Sequence, residues 1–454
     1  MNPEIPQAVC FRSNSVGALQ NVSLRSAMRH ITSTFGKKRL DAIGDNPFEQ
    51  WRDKASEIKM EVLNNLQDYV SMFSRNATAA GAVVHHAKDA HMACDIVACL
   101  LRDHGAQKVV KSKSMISEEI HLNAFLERRN VQVTETDLGE YIIQIAGETP
   151  SHIIVPAIHK SRQQVGQLFC EKLGCEYTDN PASLTRTAKT LLRKEFLTAQ
   201  AAISGANFAI AESGSICLFT NEGNGRMVTT LPPLHIVITS IDKMLPKLAD
   251  LPVFMRLLPR SATGQILTSY FSLITGTRKE SEFTGSQHLH IVLLDNGRSE
   301  IARGEFKEML KCIRCGACMN VCPVYGIIGG HAYDSTYPGP MGVILSSLLN
   351  GLSQAHPLLD ASTLCGACAE VCPVKIPLAK IISRLRELKV DRGLASETEM
   401  IGMLGFGIAT KYPKLFEFGQ LVASRAWPLA RLIDKQTIDR LPRPVSRSFK
   451  RRLA

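Results

Sequence analysis

Two cysteine runs between Cys312 and Pro373 leave this chain few options. The first reads Cys312-Ile-Arg-Cys315-Gly-Ala-Cys318-Met-Asn-Val-Cys322-Pro323, the second Ser362-Thr-Leu-Cys365-Gly-Ala-Cys368-Ala-Glu-Val-Cys372-Pro373. The first is a full C-x2-C-x2-C-x3-C-P run, the pattern that holds iron–sulfur cubanes, in which three cysteines grip one cluster and the fourth reaches across to another. On that crossed pattern Cys312, Cys315 and Cys318 share a cluster with Cys372, while Cys322 joins Cys365 and Cys368 on a second. Ser362 stands where the second run's first cysteine belongs, so the second cluster is one cysteine short.

Two residues between thiolates allow a tight turn that aims both sulfurs at one site, and Gly316 and Gly366 supply the conformational freedom it needs. Pro323 and Pro373 then break the chain and send it away from its own cluster. Zinc is the alternative, because paired C-x2-C motifs with a spacer also bind zinc. A structural zinc needs four ligands in one tetrahedron, and has no use for a third cysteine and a C-P ending twice over.

At 454 residues the chain exceeds what one core holds, and about two to four domains are expected. With 45% hydrophobic and 21% charged residues it reads as an ordinary soluble globular protein. The formal charge of +11 (53 minus 42) has no block of consecutive Lys and Arg behind it, so a solvated surface explains it and no nucleic-acid partner is expected. Seven of the thirteen cysteines fall in the two runs; Cys10, Cys94, Cys99, Cys170, Cys175 and Cys217 are scattered and read as reduced thiols. The start lacks a secretory pattern, and uncharged runs such as Phe196 to Ala211 are broken by Gly, Ser or Asn, so no transmembrane span is expected. A reducing cytoplasm is the predicted location.

In chain order, residues 1–45 read as a basic N-terminal arm or loosely attached helix. From Pro47 to about Leu101 the pattern is helical, with Trp51, Ile58, Val62, Leu66, Tyr69, Val70 and Phe73 on one face. His85, His86 and His91 fall in the next helical segment, as a surface cluster rather than a metal site. Between Ala106 and Asn296 strands alternate with helices. Strand-like runs are Lys108 to Val110, Tyr141 to Ile145, His152 to Ile154, Phe208 to Ala211, Ser215 to Thr220, His235 to Thr239 and His290 to Leu294. Helical runs are Ser117 to Arg129, Ser161 to Leu173 and Pro181 to Ala201. That alternation predicts an α/β domain with a largely parallel sheet and a ligand at the strands' carboxyl ends. Helical segments flank both cysteine runs, which predicts an all-helical two-cluster ferredoxin domain. A C-terminal helical segment follows, ending in a basic tail of Arg440, Arg443, Arg447, Lys450, Arg451 and Arg452.

Within the α/β part, Thr220-Asn-Glu-Gly-Asn-Gly-Arg-Met227 is the most conspicuous loop. Gly223 and Gly225 suit positive φ, and Arg226 suits an anion; a plain turn explains the same residues. Asp137, His159, Glu222 and Arg226 are the candidates for a polar pocket, with helix capping as the structural alternative. No hydrolase triad, phosphate loop or dinucleotide fingerprint is present.

These motifs together carry a resemblance. Lys113-Ser-Met, Glu135-Thr-Asp-Leu-Gly-Glu-Tyr, Pro156-Ala-Ile-His-Lys, Gly205 to Gly214, Asn221-Glu-Gly-Asn-Gly-Arg-Met, Leu294 to Arg298, both cysteine runs and Gly329-Gly-His-Ala-Tyr follow one another as in the bacterial lactate-utilisation iron–sulfur proteins (LutB), which the chain resembles over most of its length. The resemblance implies a LUD domain, with a fold related to the sugar-phosphate isomerase and CoA-transferase group, followed by the helical ferredoxin domain. The expected layout is 1–45 arm, 46–298 LUD domain with N-terminal helices, 299–393 ferredoxin domain and 394–454 C-terminal helical segment with tail.

It further implies two 4Fe–4S clusters on the two cysteine sets given above, with Ser362 leaving the second as a three-iron cluster or with a non-cysteine ligand. The family's role is cytoplasmic oxidation of L-lactate to pyruvate with companion lactate-utilisation proteins, one of which is the alternative location for lactate. The expected function is an electron-transfer subunit of such an oxidoreductase complex. The alternative is a LUD domain that itself performs acyl or small-carboxylate chemistry, with the clusters as sensor or relay. Catalytic residues are not identifiable from the sequence.

Overall fold

Apolar runs with no polar alternation, such as Leu234–Ser240 and His288–Leu294, need cover on both faces, which parallel sheets receive from the helices that connect their strands. The computed structural model describes residues 10–433, 443 and 445, and its strands are β1 Val83–Ala87, β2 Lys108–Lys111, β3 Gln132–Glu135, β4 Ala201–Ser204, β5 Phe208–Ile210, β6 Ser215–Thr220, β7 Leu234–Ser240, β8 Met244–Leu245, β9 Tyr270–Ile274 and β10 His288–Leu294. Six of them form one sheet in the order β1-β10-β7-β4-β2-β3, every neighbouring pair parallel. Alternate residues of the central strands serve opposite cores. Ile236, Ile238, Val292 and Leu294 pack with Val97 and Leu101 of helix Ala90–Asp103. Val237, Ile291 and Leu293 pack with Val70, Phe73 and Ala77 of helix Leu66–Ala79. A smaller sheet, β8-β5-β6-β9, lies under the second core, with Ala209 and Ile216 in it.

The predicted α/β domain with a largely parallel sheet is therefore present, but several local expectations change. Tyr141 to Ile145 is helix, not strand: Asp137 Oδ1 accepts from Gly139 N (3.0 Å) and Glu140 N (3.4 Å), and this cap launches Leu138–Ala146 despite its strand-rich composition. His152 to Ile154 forms no strand, because His152 Nδ1 accepts from Ile154 N (2.9 Å) and Val155 N (3.2 Å) in a local turn. His85 and His86 lie on edge strand β1 rather than a helix; Gly81, at φ +96, ends the preceding helical stretch. β3 and β4 are too polar or too small-residued to signal themselves. The Thr220–Met227 stretch enters a helix at Asn224, with Gly223 at φ −72 and no positive φ at Gly225. Gly225 is there for room, since a Cβ on it would sit 2.7 Å from Thr220 Cγ2.

From Arg298 to Asp391 the described residues contain short helices and turns and no strand, as a helical ferredoxin domain requires. Residues 10–45 do not hang loosely beside it. Helices Phe11–Gln20 and Val22–Ile43 bury Met28 fully, set the Phe11 ring at a tilt against Tyr333 (5.6 Å between ring centres) and ion-pair Arg12 with Asp360 (2.8 Å). Arg52, from helix Phe48–Asn64, donates to Cys372 O (2.9 Å) and Glu370 O (2.6 Å).

The chain divides into two compact units, 1–386 and 387–454. In the second, Ser396 caps helix Glu397–Lys411, and helix Pro413–Ile433 follows. Of the basic tail, Arg443 is described, and Arg440, Arg447, Lys450, Arg451 and Arg452 lie outside the described residues. Among the described residues no helix is long and apolar enough to cross a membrane.

Candidate metal centre and the adjoining cavity

The two cysteine runs fold alike. The residue before the second cysteine position is left-handed in each, Arg314 at φ +58 and Leu364 at φ +54, and the glycine after it repeats the bend, Gly316 at +76 and Gly366 at +86. Left-handed backbone is uncommon for arginine and leucine, and here it turns successive side chains inward. Cys312, Cys315, Cys318 and Cys372 line one small enclosed cavity with Met341 and Ile376. The sulfur of Cys312 accepts from Arg314 N, and that of Cys372 from Ile376 N, both at 3.4 Å. Backbone N–H groups aimed at sulfur are what a thiolate ligand needs.

Cys322, Cys365 and Cys368 form the second group. Tyr325 N donates to Cys322 Sγ (3.5 Å). Burial, and then the charge of Cys322, pushes the Cys368 thiol up to about 11, while Cys365 lies at the surface. Burial likewise raises Cys315, beside Cys312 and Cys372, and takes Cys372 up to about 11. Thiolates packed this way need cationic charge among them, which the irons of a cluster provide. The donor set thus fits iron–sulfur clusters. Ser362 Oγ accepts from Leu364 N at 3.2 Å, the same two-residue relation that Cys312 Sγ has with Arg314 N.

Beside the first group opens a cavity of about 500 Å³ at the carboxyl ends of β2, β4 and β7. Ser112 and Lys113 follow β2, Gly205 follows β4, and Thr239 and Ser240 end β7. Lys243, Arg314 and Tyr337 also line it, and Arg314 comes from inside the first cysteine run. Asp137 and Glu222 are part of the wall. Burial, and then the charge of Asp137, lifts the Glu222 carboxyl to about 7. The other two expected pocket residues are elsewhere: His159 bonds Glu148 (2.7 Å) and packs on His331, and Arg226 sits exposed on helix Asn224–Thr230.

A buried ionic network lies behind this cavity. Arg298 donates to Glu119 Oε2 (2.6 Å) and Asp242 Oδ1 (2.9 Å), Tyr337 to Glu119 Oε2 (2.7 Å), and Lys59 to the Asp242 carbonyl. Sequence reasoning did not bring Lys243, Thr239, Glu119 or Asp242 to this region. Only Arg298, in Asp-Asn-Gly-Arg, and Arg314, in the cysteine run, lay within a motif that could have drawn attention to them.

The LUD domain family matches residues 70–294, and the 4Fe-4S dicluster domain family matches residues 308–376. Lactate utilization protein B of Lysinibacillus sphaericus is 43% identical over 96% of this chain and 92% of its own length. The chain belongs to the lactate utilization protein B family. The Bacillus subtilis member is 40% identical over 96% of this chain and 91% of its own. An Escherichia coli relative, named an uncharacterized electron transport protein, YkgF, is 41% identical over 92% of this chain and 88% of its own. A LUD domain followed by a dicluster ferredoxin domain is thus the family's architecture here, and its cofactors are 4Fe–4S clusters.

Proposed function

We propose that this protein is the iron–sulfur electron-transfer subunit of a cytoplasmic complex that oxidises L-lactate to pyruvate with companion lactate-utilisation proteins. In this reading Cys312, Cys315, Cys318 and Cys372 hold one cluster, and Cys322, Cys365 and Cys368 hold the other. Clusters supply one-electron steps, so a pair of them suits the two electrons that lactate gives up. The observation that carries the reading is the placement of the two cysteine groups. The first is interior, beside a cavity that Arg314 lines, and the second reaches solvent at Cys365. Electrons entering at the cavity side therefore leave where another protein can approach. Tyr325 and Tyr333, both fully buried with ring centres 6.2 Å apart, stand beside Cys318 and Cys322.

The names of the relatives support lactate as the substrate and electron transport as the role. The cavity favours a second reading as well, in which the LUD domain itself handles the small carboxylate and the clusters relay its electrons. Anaerobic EPR of the holoprotein tests the role. Reduction of the clusters by L-lactate only with companion proteins present is the result expected of a relay; reduction in the isolated protein favours the second reading. Stoichiometric zinc without labile sulfide would refute both.

A further inference from the structure

Helix Glu397–Lys411 carries no charged residue over 400–410, and every residue of 400–408 is exposed. Six of these are large and apolar: Met400, Ile401, Met403, Leu404, Phe406 and Ile408, with Ile401 at 69% and Met403 and Leu404 at 66% exposure. At about 100° per residue their side chains span about 220° of the helix circumference. A helix laid against one protein neighbour needs an apolar stripe of only about 100°. Apolar surface this wide calls for an environment that closes round it, as hydrocarbon does. The uncharged stretch is about 16 Å long, half of the roughly 30 Å hydrocarbon core of a bilayer, and no described helix can cross a membrane. It therefore suits a helix lying in the lipid–water boundary.

The flanking residues are of the kind that settle at that boundary. Lys411, Tyr412 and Lys414 follow the stretch directly, and helix Pro413–Ile433 adds exposed Phe416 and Phe418 and a partly buried Trp427. Aromatic rings and long cationic side chains favour the headgroup level. Charge is concentrated here too: residues 411–454 hold eleven Lys and Arg against three Asp and Glu, which is +8 of the chain's +11. That sign complements an anionic lipid surface.

We propose that the C-terminal unit docks this protein on an anionic lipid bilayer, with the apolar side chains of 400–408 immersed at the boundary of headgroups and acyl chains and the cations of 411–454 on the lipid phosphates. Apolar burial and attraction to anionic lipid add in binding of this kind, so both are required for firm attachment. The proposal goes beyond the electron-transfer reading and stands apart from it, because lipid binding needs neither lactate nor companion proteins.

The test is flotation of the anaerobic full-length holoprotein with vesicles of mixed phosphatidylglycerol and phosphatidylcholine, and with vesicles of phosphatidylcholine alone. Expected are flotation with the anionic vesicles, binding at least about tenfold weaker to the neutral ones, and weakening as salt rises to about 0.5 M. Leu404→Glu combined with Phe406→Glu should weaken binding by about tenfold or more. Changing Arg447, Lys450, Arg451 and Arg452 together to Gln should do the same. Phe283→Glu, at a side chain 98% exposed in another part of the chain, should leave binding as in wild type. Iron content equal to wild type in every variant separates lost binding from lost folding. No flotation of the wild type, equal flotation on neutral vesicles, or full binding by the Leu404→Glu, Phe406→Glu protein would overturn the proposal. A wild-type dimer that those two changes dissociate in sedimentation velocity, without vesicle binding, would assign the face to a second copy of the chain instead.

Discussion

Arg314 of the first cysteine run reaches Asp242 of the LUD domain, with Nη2 at 3.4 Å from Oδ2, so a residue of the cluster-bearing part is paired with the end of the parallel sheet. Asp242 is fully buried, and its other oxygen accepts from Arg298 Nε at 2.9 Å. Burial alone would raise its carboxyl; Arg298 first, then Arg314, overcome this and hold it well below the ordinary carboxylate range. Removing one partner of such a buried set leaves uncompensated charge, and typically costs about 3–5 kcal/mol. Asp242→Asn should therefore lower the unfolding free energy by about that amount in chemical denaturation. Because the folded pKa is depressed, the contribution of Asp242 is complete above its ordinary value of 3.8 and fades only as pH falls below it. The variant should lack that acid-side loss, and a change under about 1 kcal/mol at neutral pH would mean the network adds little.

A second prediction concerns how closely the two domains approach. A Cβ on Gly330 would lie 1.9 Å from the carbonyl oxygen of Ser151, whose hydroxyl accepts from Gly330 N (3.3 Å) and whose carbonyl accepts from Tyr325 Oη (2.9 Å). No rotamer relieves a clash with backbone, so Gly330→Ala should cost about 2–3 kcal/mol or displace the Gly329–Tyr333 segment. Gly17, in helix Phe11–Gln20, has nothing within 4 Å of the same added carbon. Gly17→Ala should be neutral or stabilising by up to about 1 kcal/mol, and equal thermal shifts in the two variants would contradict the close-approach argument.

What the sequence made legible follows from how local each signal is. The cysteine runs announce themselves because turn geometry demands a fixed spacing, and the αL backbone at Gly316 and Gly366 is the conformation that spacing implies. The apolar strands β7 and β10 were equally plain. Tyr141 to Ile145 misled because composition favours strand, whereas one capping side chain, Asp137, decides for helix. Of the pocket candidates, Asp137 and Glu222 are brought to the cavity because both stand at strand ends facing one another, with Leu138 N 3.4 Å from Glu222 Oε2. Lys243, Thr239 and Arg314 meet there only through the tertiary fold, and no spacing along the chain encodes their proximity.

Glu140 provides a pH test on the other side of neutrality. Its side chain is buried, with Oε1 3.7 Å from Lys113 Nζ and without a hydrogen bond. Burial outweighs Lys113 and lifts the carboxyl to about 8, against an ordinary value of 4.5. Between those values the folded protein holds a proton that the unfolded chain has released, so this group makes the protein less stable as pH rises from about 4.5 to about 8. The slope for one proton is at most about 1.4 kcal/mol per pH unit. Glu140→Gln should flatten this part of the stability profile, with its largest advantage over wild type near pH 8 in urea titrations. Parallel profiles for the two proteins would show that Glu140 is ionised throughout.

The last prediction turns on Ser362. Its hydroxyl accepts from Leu364 N as the Cys312 sulfur accepts from Arg314 N, and the left-handed residues that follow repeat in φ, Leu364 at +54 against Arg314 at +58 and Gly366 at +86 against Gly316 at +76. Ser362 thus stands where the first run has Cys312, with an oxygen in place of sulfur, and Cys365, three residues on, is exposed. Ser362→Cys should give the second group four cysteines without moving backbone. The expected result is greater resistance of that cluster to oxidative iron loss and an altered EPR signal. That signal should be the one removed by Cys365→Ser, while the signal removed by Cys315→Ser stays as in wild type. If Ser362→Cys instead changes the Cys315-dependent signal, or if Cys315→Ser and Cys365→Ser abolish the same one, the crossed grouping of the cysteines is wrong. An iron count and spectrum unchanged in every respect would place the hydroxyl of Ser362 outside the cluster's coordination.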